Sequence, residues 1–300
     1  MAYSTGSTIL DDDYNGFATN VNSVWGSGSG NSGYGQSNTV SAVAAGNTIT
    51  ATQWTTLLSR ISSSASHQGT SITAISNPSV GNTISVFGAL SSNITAITNG
   101  RLNASASGAD STTTNNTTSA WGGSASITKT ITFSSSTAAR YFFNAGGMIR
   151  ISLSRSGGTS QPKNTAWTNL LNAVGTLVWT GYATSKTIAG TTYAGLTKIG
   201  GSGSTSTFSN VGVLEMGSGS TLRFRQFDAT YLYTANYASV SCAWSGTVFT
   251  MAIVLTDADT DPQNVDGTLS LSTTIRPPST TYLSNTWGTP TANTPSWSLA

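Results

Sequence analysis

Asp257-Ala258-Asp259-Thr260-Asp261 and Asp266 place four of the chain's ten acidic residues in one short segment between two strand-like runs. Carboxylates on alternate residues can converge on a divalent cation, and Ca²⁺ takes roughly six to eight oxygens. The EF-hand spacing is not met, because Pro262 stands where that loop needs Gly and no Glu follows at its twelfth position. The segment reads first as a solvated turn ending in Asp266-Gly267, and second as a weak calcium site with Asp257, Asp259, Asp261 and Asp266 as ligands. Other chemistry is thinly supplied. His67 is the only histidine, and without a Gly-x-Ser-x-Gly elbow it reads as a capping or interface residue. Glu215 is the only glutamate, with Asp228 the acid nearest to it in sequence, a poor basis for glycoside hydrolysis by paired carboxylates. The glycine-rich stretches 26–35 and 200–203 lack the Lys-Ser/Thr of a phosphate loop. No catalytic or cofactor-binding set is expected, so the chain is not read as an enzyme.

Three further groups have structural readings. Arg223 and Arg225 share one strand face and are expected in a structural ion pair, with an anion site as the alternative. Cys242 stands alone, so it makes no intrachain disulfide and should pack as a small apolar residue. Trp121, Tyr182, Tyr193, Tyr231 and Tyr233 could stack on sugar rings if exposed, although core or interface packing is the default for each.

The elements that must position these residues are built from unusual material. Only 7% of the 300 residues are charged and 37% are hydrophobic, with 32 Gly and abundant Ser, Thr and Asn. Neutral hydroxyls and amides, not charges, must cover the core. The net charge of +2 includes no Lys/Arg block, so nucleic acid is not an expected partner. No apolar run is long enough for membrane insertion, and Met1-Ala2-Tyr3-Ser4-Thr5 lacks the marks of a secretory signal. Release by lysis as part of a particle fits both observations.

Residues 1–102 read as short helices in Gly-rich loops. Asp11-Asp12-Asp13 precede Tyr14, Phe17, Val21 and Val24 at helical spacing. Thr50 or Thr52 can cap a helix carrying Trp54, Leu57, Leu58 and Ile61, and Ile84, Phe87, Leu90, Ile94, Ile97 and Leu102 mark a third. Such Ser/Thr/Asn-rich helices need partners, so Trp25, Trp54, Leu57 and Ile61 are assigned to an interface between copies. Residues 103–125 read as a Ser/Thr/Asn-rich linker. From 126 to 275 the period becomes two, as in Ile127, Lys129, Ile131 and Phe133, or Phe249, Met251, Ile253 and Leu255. One helix is inserted there, capped by Asn164 or Thr165 and burying Trp167, Leu170, Leu171 and Val174. The fold class is α+β: short N-terminal helices, then a mainly antiparallel β-sandwich. Residues 276–300, with four prolines, read as an extended tail lying on another surface.

Trp25-Gly26-Ser27-Gly28-Ser29-Gly30-Asn31-Ser32-Gly33-Tyr34-Gly35-Gln36, Ile49-Thr50-Ala51-Thr52-Gln53-Trp54 and Ser66-His67-Gln68-Gly69-Thr70 resemble the N-terminal half of virion structural proteins of tailed bacteriophages. Tyr141-Phe142-Phe143-Asn144-Ala145-Gly146-Gly147-Met148-Ile149-Arg150, Lys163-Asn164-Thr165-Ala166-Trp167 and Val265-Asp266-Gly267-Thr268-Leu269 look like the β-rich module of the same group. The resemblance implies a tail, baseplate or fibre component and brings no catalytic residues. The expectation is a noncatalytic homotrimer or ring in the virion that contacts other tail proteins. The alternative is a receptor-binding adhesin recognising a host cell-surface glycan.

Overall fold

The computed structural model describes residues 10–77, 86–202 and 206–300. Its helices are α1 (Asp11–Trp25), α2 (Ala51–Gln68), α3 (Phe87–Gly100), α4 (Ser136–Asn144) and α5 (Pro162–Val174). The strands are β1 (Asn103–Ala104), β2 (Ser111–Thr117), β3 (Ser124–Thr132), β4 (Met148–Ser156), β5 (Thr176–Trp179), β6 (Lys186–Ile188), β7 (Thr191–Tyr193), β8 (Leu196–Ile199), β9 (Ser206–Phe208), β10 (Thr221–Phe227), β11 (Tyr237–Trp244), β12 (Val248–Thr256), β13 (Thr268–Arg276), β14 (Thr291–Ala292) and β15 (Ser296–Leu299). This is an α+β fold. A seven-stranded sheet runs β14-β3-β12-β11-β10-β9, with β15 also on β3, and a five-stranded sheet runs β2-β13-β4-β5-β8. All pairings within these two sheets are antiparallel. Trp179 of β5 meets Phe249 of β12 edge-on at 5.6 Å, which brings the sheets face to face. A separate three-stranded sheet, β1-β6-β7, packs Ala104, Ile188 and Tyr193 against Met148 of β4 and Val178 of β5. Among the described residues no helix is long and apolar enough to cross a membrane.

The N-terminal helices form for the expected local reasons. The three aspartates occupy the first turn of α1, where the positive helix end favours them. A capping box closes α2: the Gln53 amide donates to Thr50 Oγ1 at 3.2 Å while Thr50 N–H donates to Gln53 Oε1 at 2.9 Å, an arrangement contributing about 1 kcal/mol. Gly69, at φ +69°, ends it. Of the third stripe, Ile84 lies outside the described residues, whereas Leu90, Ile94 and Ile97 are buried on α3.

Several expectations need correction. Trp25, Trp54, Leu57 and Ile61 are buried within the chain by the packing of α1, α2 and α3, so intrachain contacts, not a second copy, cover them. The supposed linker contributes β1 and β2, and β2 pairs with β13 along its length; hydroxyl and amide side chains are compatible with an exposed strand face. The C-terminal tail lies on its own chain. Its β14 and β15 extend the large sheet through β3, and Leu283 and Trp287 are buried. Among the described residues two α-helices, not one, enter the β-region, because Ser135 caps Tyr141-Phe142-Phe143 into α4 by accepting from the Ala138 amide at 3.0 Å. The second, α5, starts at Pro162, ahead of the expected cap, since proline's fixed φ suits the first helical position.

Helical and β-regions share one core, a continuous apolar cluster from Tyr14 to Trp287. Asn144 at the end of α4 donates to the carbonyls of Gly30, Ser32 and Gly33. Gln36 exchanges hydrogen bonds with the backbone of Ser284 at 2.8 and 3.0 Å. Gly35, at φ +73°, lies so close to Tyr141 that a Cβ would come within 2.2 Å of its ring. Gly35→Ala is therefore expected to lose about 2 kcal/mol or more in urea unfolding, through both the left-handed backbone and the ring clash. A neutral result would mean that this junction yields.

Candidate functional site

The connection from β12 to β13 carries the acidic segment and is also the crossover from the seven-stranded to the five-stranded sheet. Facing it is the first turn of α5, which supplies Lys163. Helix α5 buries Ala166, Trp167, Leu170, Leu171 and Val174, and Trp167, one turn on from Lys163, stacks edge-on against Trp121 at 4.6 Å. Trp121 in turn bridges to Val265 in the same connection. This packing sets Lys163 against the aspartates.

The acidic residues meet a cation, but it is an ammonium from the chain itself. Lys163 Nζ lies 2.7 Å from Asp257 Oδ2 and 3.2 Å from Asp259 Oδ1, and all three side chains are at most 3% exposed. The same ammonium donates to the Asp261 and Gln263 carbonyls at 2.8 and 2.9 Å. Asn236 orders the acids from behind. Its Oδ1 accepts from the amides of Ala258 and Asp259, and its Nδ2 donates to Asp259 Oδ2 at 2.6 Å. Neither carboxyl oxygen of Asp257 receives a directed hydrogen bond, so its contact with Lys163 is close but lies off the hydrogen-bond angle.

Burial, followed by the neighbouring Asp259 carboxyl, pushes Asp257 up to about 6 against the pull of Lys163. Burial opposes ionisation of Asp259 too, yet contacts with Asp257, Asn236, the Asp261 amide and Lys163 hold it below the usual carboxylate range. Burial also disfavours the Lys163 ammonium, and the two carboxylates more than restore it.

The four candidate calcium ligands do not converge. Asp261 turns away, accepting from Tyr233 OH at 3.0 Å and the Gln263 amide at 3.1 Å. Asp266 faces the other side of the α5 start, bound to Asn164 Nδ2, to Thr159 and, at 3.4 Å, to Arg155. Among the described residues no group of three or more His, Cys, Asp or Glu is arranged to hold a metal ion. Lys163 was missed in sequence because it lies about a hundred residues upstream; the one available signal was a lysine beside apolar helix positions.

Most of the remaining candidates serve the fold. His67 is buried, its Nε2 bonded to the Ala145 carbonyl at 3.0 Å and its ring edge-on to Tyr34 at 5.1 Å, so it ties α2 to the turn after α4. Glu215 accepts from the amides of Ala183 and Gly212, and Asp228 from the amide of Thr230. Arg225 stacks over Tyr237 at 4.6 Å in place of the expected ion pair. Cys242 is fully buried, which pushes its thiol up to about 12. Trp121, Tyr193 and Tyr233 are buried and Tyr182 is half-buried; Tyr231 is 85% exposed. Lys186, pushed down to about 7 by burial, lines a cleft with Tyr182 and Thr184, but its Nζ is already bonded to the Phe143 and Asn144 carbonyls.

Comparison with protein-family models, with curated proteins and with solved structures finds no match.

Lys163→Met leaves two buried carboxylates without their cation and is expected to cost about 3–5 kcal/mol in chemical denaturation; a loss under about 1 kcal/mol would indicate a solvated loop. His67 gives a pH signature. Burial first, and Lys186 second, push its ring down to about 4 despite the bond to Ala145. The folded value lies below the unfolded one of about 6.5, so the stability is fully present above about 6.5 and is lost as pH falls toward about 4. Across that window the wild type should lose on the order of 3 kcal/mol more than His67→Gln, read from urea midpoints. Parallel profiles would show a ring that is easily charged.

Proposed function

We propose that the protein is a noncatalytic structural component of a bacteriophage tail, a fibre or baseplate protein working as an oligomer. The observation that carries this reading is an edge of the five-stranded sheet that no other strand covers among the described residues. Strand β2 stands at its end, and Ser111–Thr117 contains no Lys, Glu or Pro and has its first four residues exposed. Soluble monomers usually protect such an edge with charge, proline or a bulge, because unpaired backbone groups are a template for another chain. A hydroxyl-rich edge also carries few charges to desolvate at an interface. The sequence resemblance to virion structural proteins supports the same reading. So does the structural use made of Lys163, His67 and Glu215.

One observation favours the adhesin reading as an alternative. Tyr231 and Leu232, 85% and 71% exposed, stand at the tip of the loop between β10 and β11. An exposed aromatic tip could stack on a host glycan.

Native mass spectrometry at micromolar concentration should show an oligomer, and Thr113→Lys on the exposed edge should weaken it by about tenfold or more. A wild-type monomer would sink the assembly reading. Binding of that monomer to host surface polysaccharide, lost in Tyr231→Ala, would establish the adhesin instead.

A further inference from the structure

Three of the chain's four lysines are buried: Lys129, Lys163 and Lys186. Lys129 Nζ meets the Asn293 carbonyl at 2.5 Å and Asn115 Oδ1 at 3.4 Å, and Lys186 meets two backbone carbonyls. Only Lys163 is set against acids, and it faces two of different character.

We infer that the chain closes its own covalent cross-link, an isopeptide bond between Lys163 Nζ and Asp257 Cγ, with Asp259 moving the proton. The geometry has the three required parts. The amine is 1% exposed and 2.7 Å from the Asp257 carboxyl, also 1% exposed, and the second carboxyl is 3.2 Å from the same nitrogen. Asp257 is free of directed hydrogen bonds that would hold it as a settled carboxylate. Asp259, fixed by Asn236 Nδ2 and the Asp261 amide, is settled in that form. The raised pKa of Asp257 and the lowered one of Asp259 agree with that division of roles.

The step balances without a co-reactant. Proton transfer from the Lys163 ammonium to Asp257 gives an amine and a carboxylic acid, leaving the charge on Asp259. The Nζ lone pair attacks Asp257 Cγ and forms the N–C bond. Asp259 takes a proton from Nζ and returns it to the departing Asp257 hydroxyl, the C–O bond breaks, and one water leaves. Amide formation from an amine and an acid is unfavourable in dilute water. Here both groups are held together at high effective concentration, and burial works against the separated charges even though the two carboxylates on balance favour the ammonium. The product joins the start of α5 to the crossover between the sheets, in a chain whose single cysteine cannot form an internal disulfide. This inference does not depend on the tail-component reading.

Intact-mass spectrometry of the purified full chain decides it. The expected mass is one water below that of the sequence, and a protease digest should yield a branched peptide joining Lys163 to Asp257, with no tryptic cleavage after Lys163. Asp259→Asn, which keeps the size and one of the two acceptor oxygens that bind Asn236 Nδ2 and the Asp261 amide, should have full mass with an unchanged circular dichroism spectrum. Lys163→Arg should have full mass as well, even if it folds poorly. Full mass in the wild type after prolonged incubation would overturn the inference, as would a water loss mapped to an aspartyl succinimide. An Asp259→Asn variant that cross-links as fast as the wild type would overturn the role given to Asp259.

Discussion

Two carboxylates and one ammonium, buried together where the chain passes from one sheet to the other, are the interaction on which the β-region depends. Strand β12 lies in the seven-stranded sheet and β13 in the five-stranded sheet, so the connection between them must cross the end of the sandwich. It is acidic and cannot be buried alone, because an unpaired buried carboxylate carries a desolvation cost of several kcal/mol. Lys163 removes that obstacle, and its bonds to the Asp261 and Gln263 carbonyls satisfy backbone groups as well. Helix α5, which carries Lys163, thereby fixes the connection while its apolar face completes the core.

The same device recurs. Lysine is rarely buried fully in proteins, yet this chain buries most of its few lysines as hubs for distant segments. Lys129 reaches the Asn293 carbonyl and holds the C-terminal strands against β3; Lys186 reaches the carbonyls that end α4. Hydrogen bonds from charged donors contribute about 1.5–3 kcal/mol each. Asn144, Gln36 and Asn236 work similarly with neutral amides, each joining segments far apart in sequence. Polar side chains that bond to backbone thus supplement a core of modest hydrophobic content.

The surface follows a different rule. Across β2 and β13 the hydroxyls pair directly, Thr112 with Thr274 at 2.8 Å and Thr114 with Ser272 at 2.9 Å. Such a ladder satisfies cross-strand neighbours without charge. It leaves a neutral surface with little long-range repulsion between copies, which suits close packing in an assembly.

Local features of the sequence determined the elements whose signals are local. Three aspartates before a helical stripe made α1, Thr50 with Gln53 made the start of α2, and alternating apolar residues made β3, β12 and β13, since helix caps and side-chain periodicity act within a few residues. The α+β class followed from the change of period after about residue 125. Tertiary structure decided what each polar residue faces. Ser111–Thr117 reads as a linker until β13 lies beside it, because its strand character comes from pairing and not from burial. Trp25, Trp54, Leu57 and Ile61 look like an interface until α1, α2 and α3 enclose them. The aspartates look like a solvated turn, and only secondarily like weak calcium ligands, until α5 brings Lys163 to them and Asp257 and Asp259 are buried around it. Spacing along the chain fixes which residues share a face, but a charge's partner is set by distance in three dimensions, and Lys163 and Asp257 become neighbours only when the two sheets close on the helix between them.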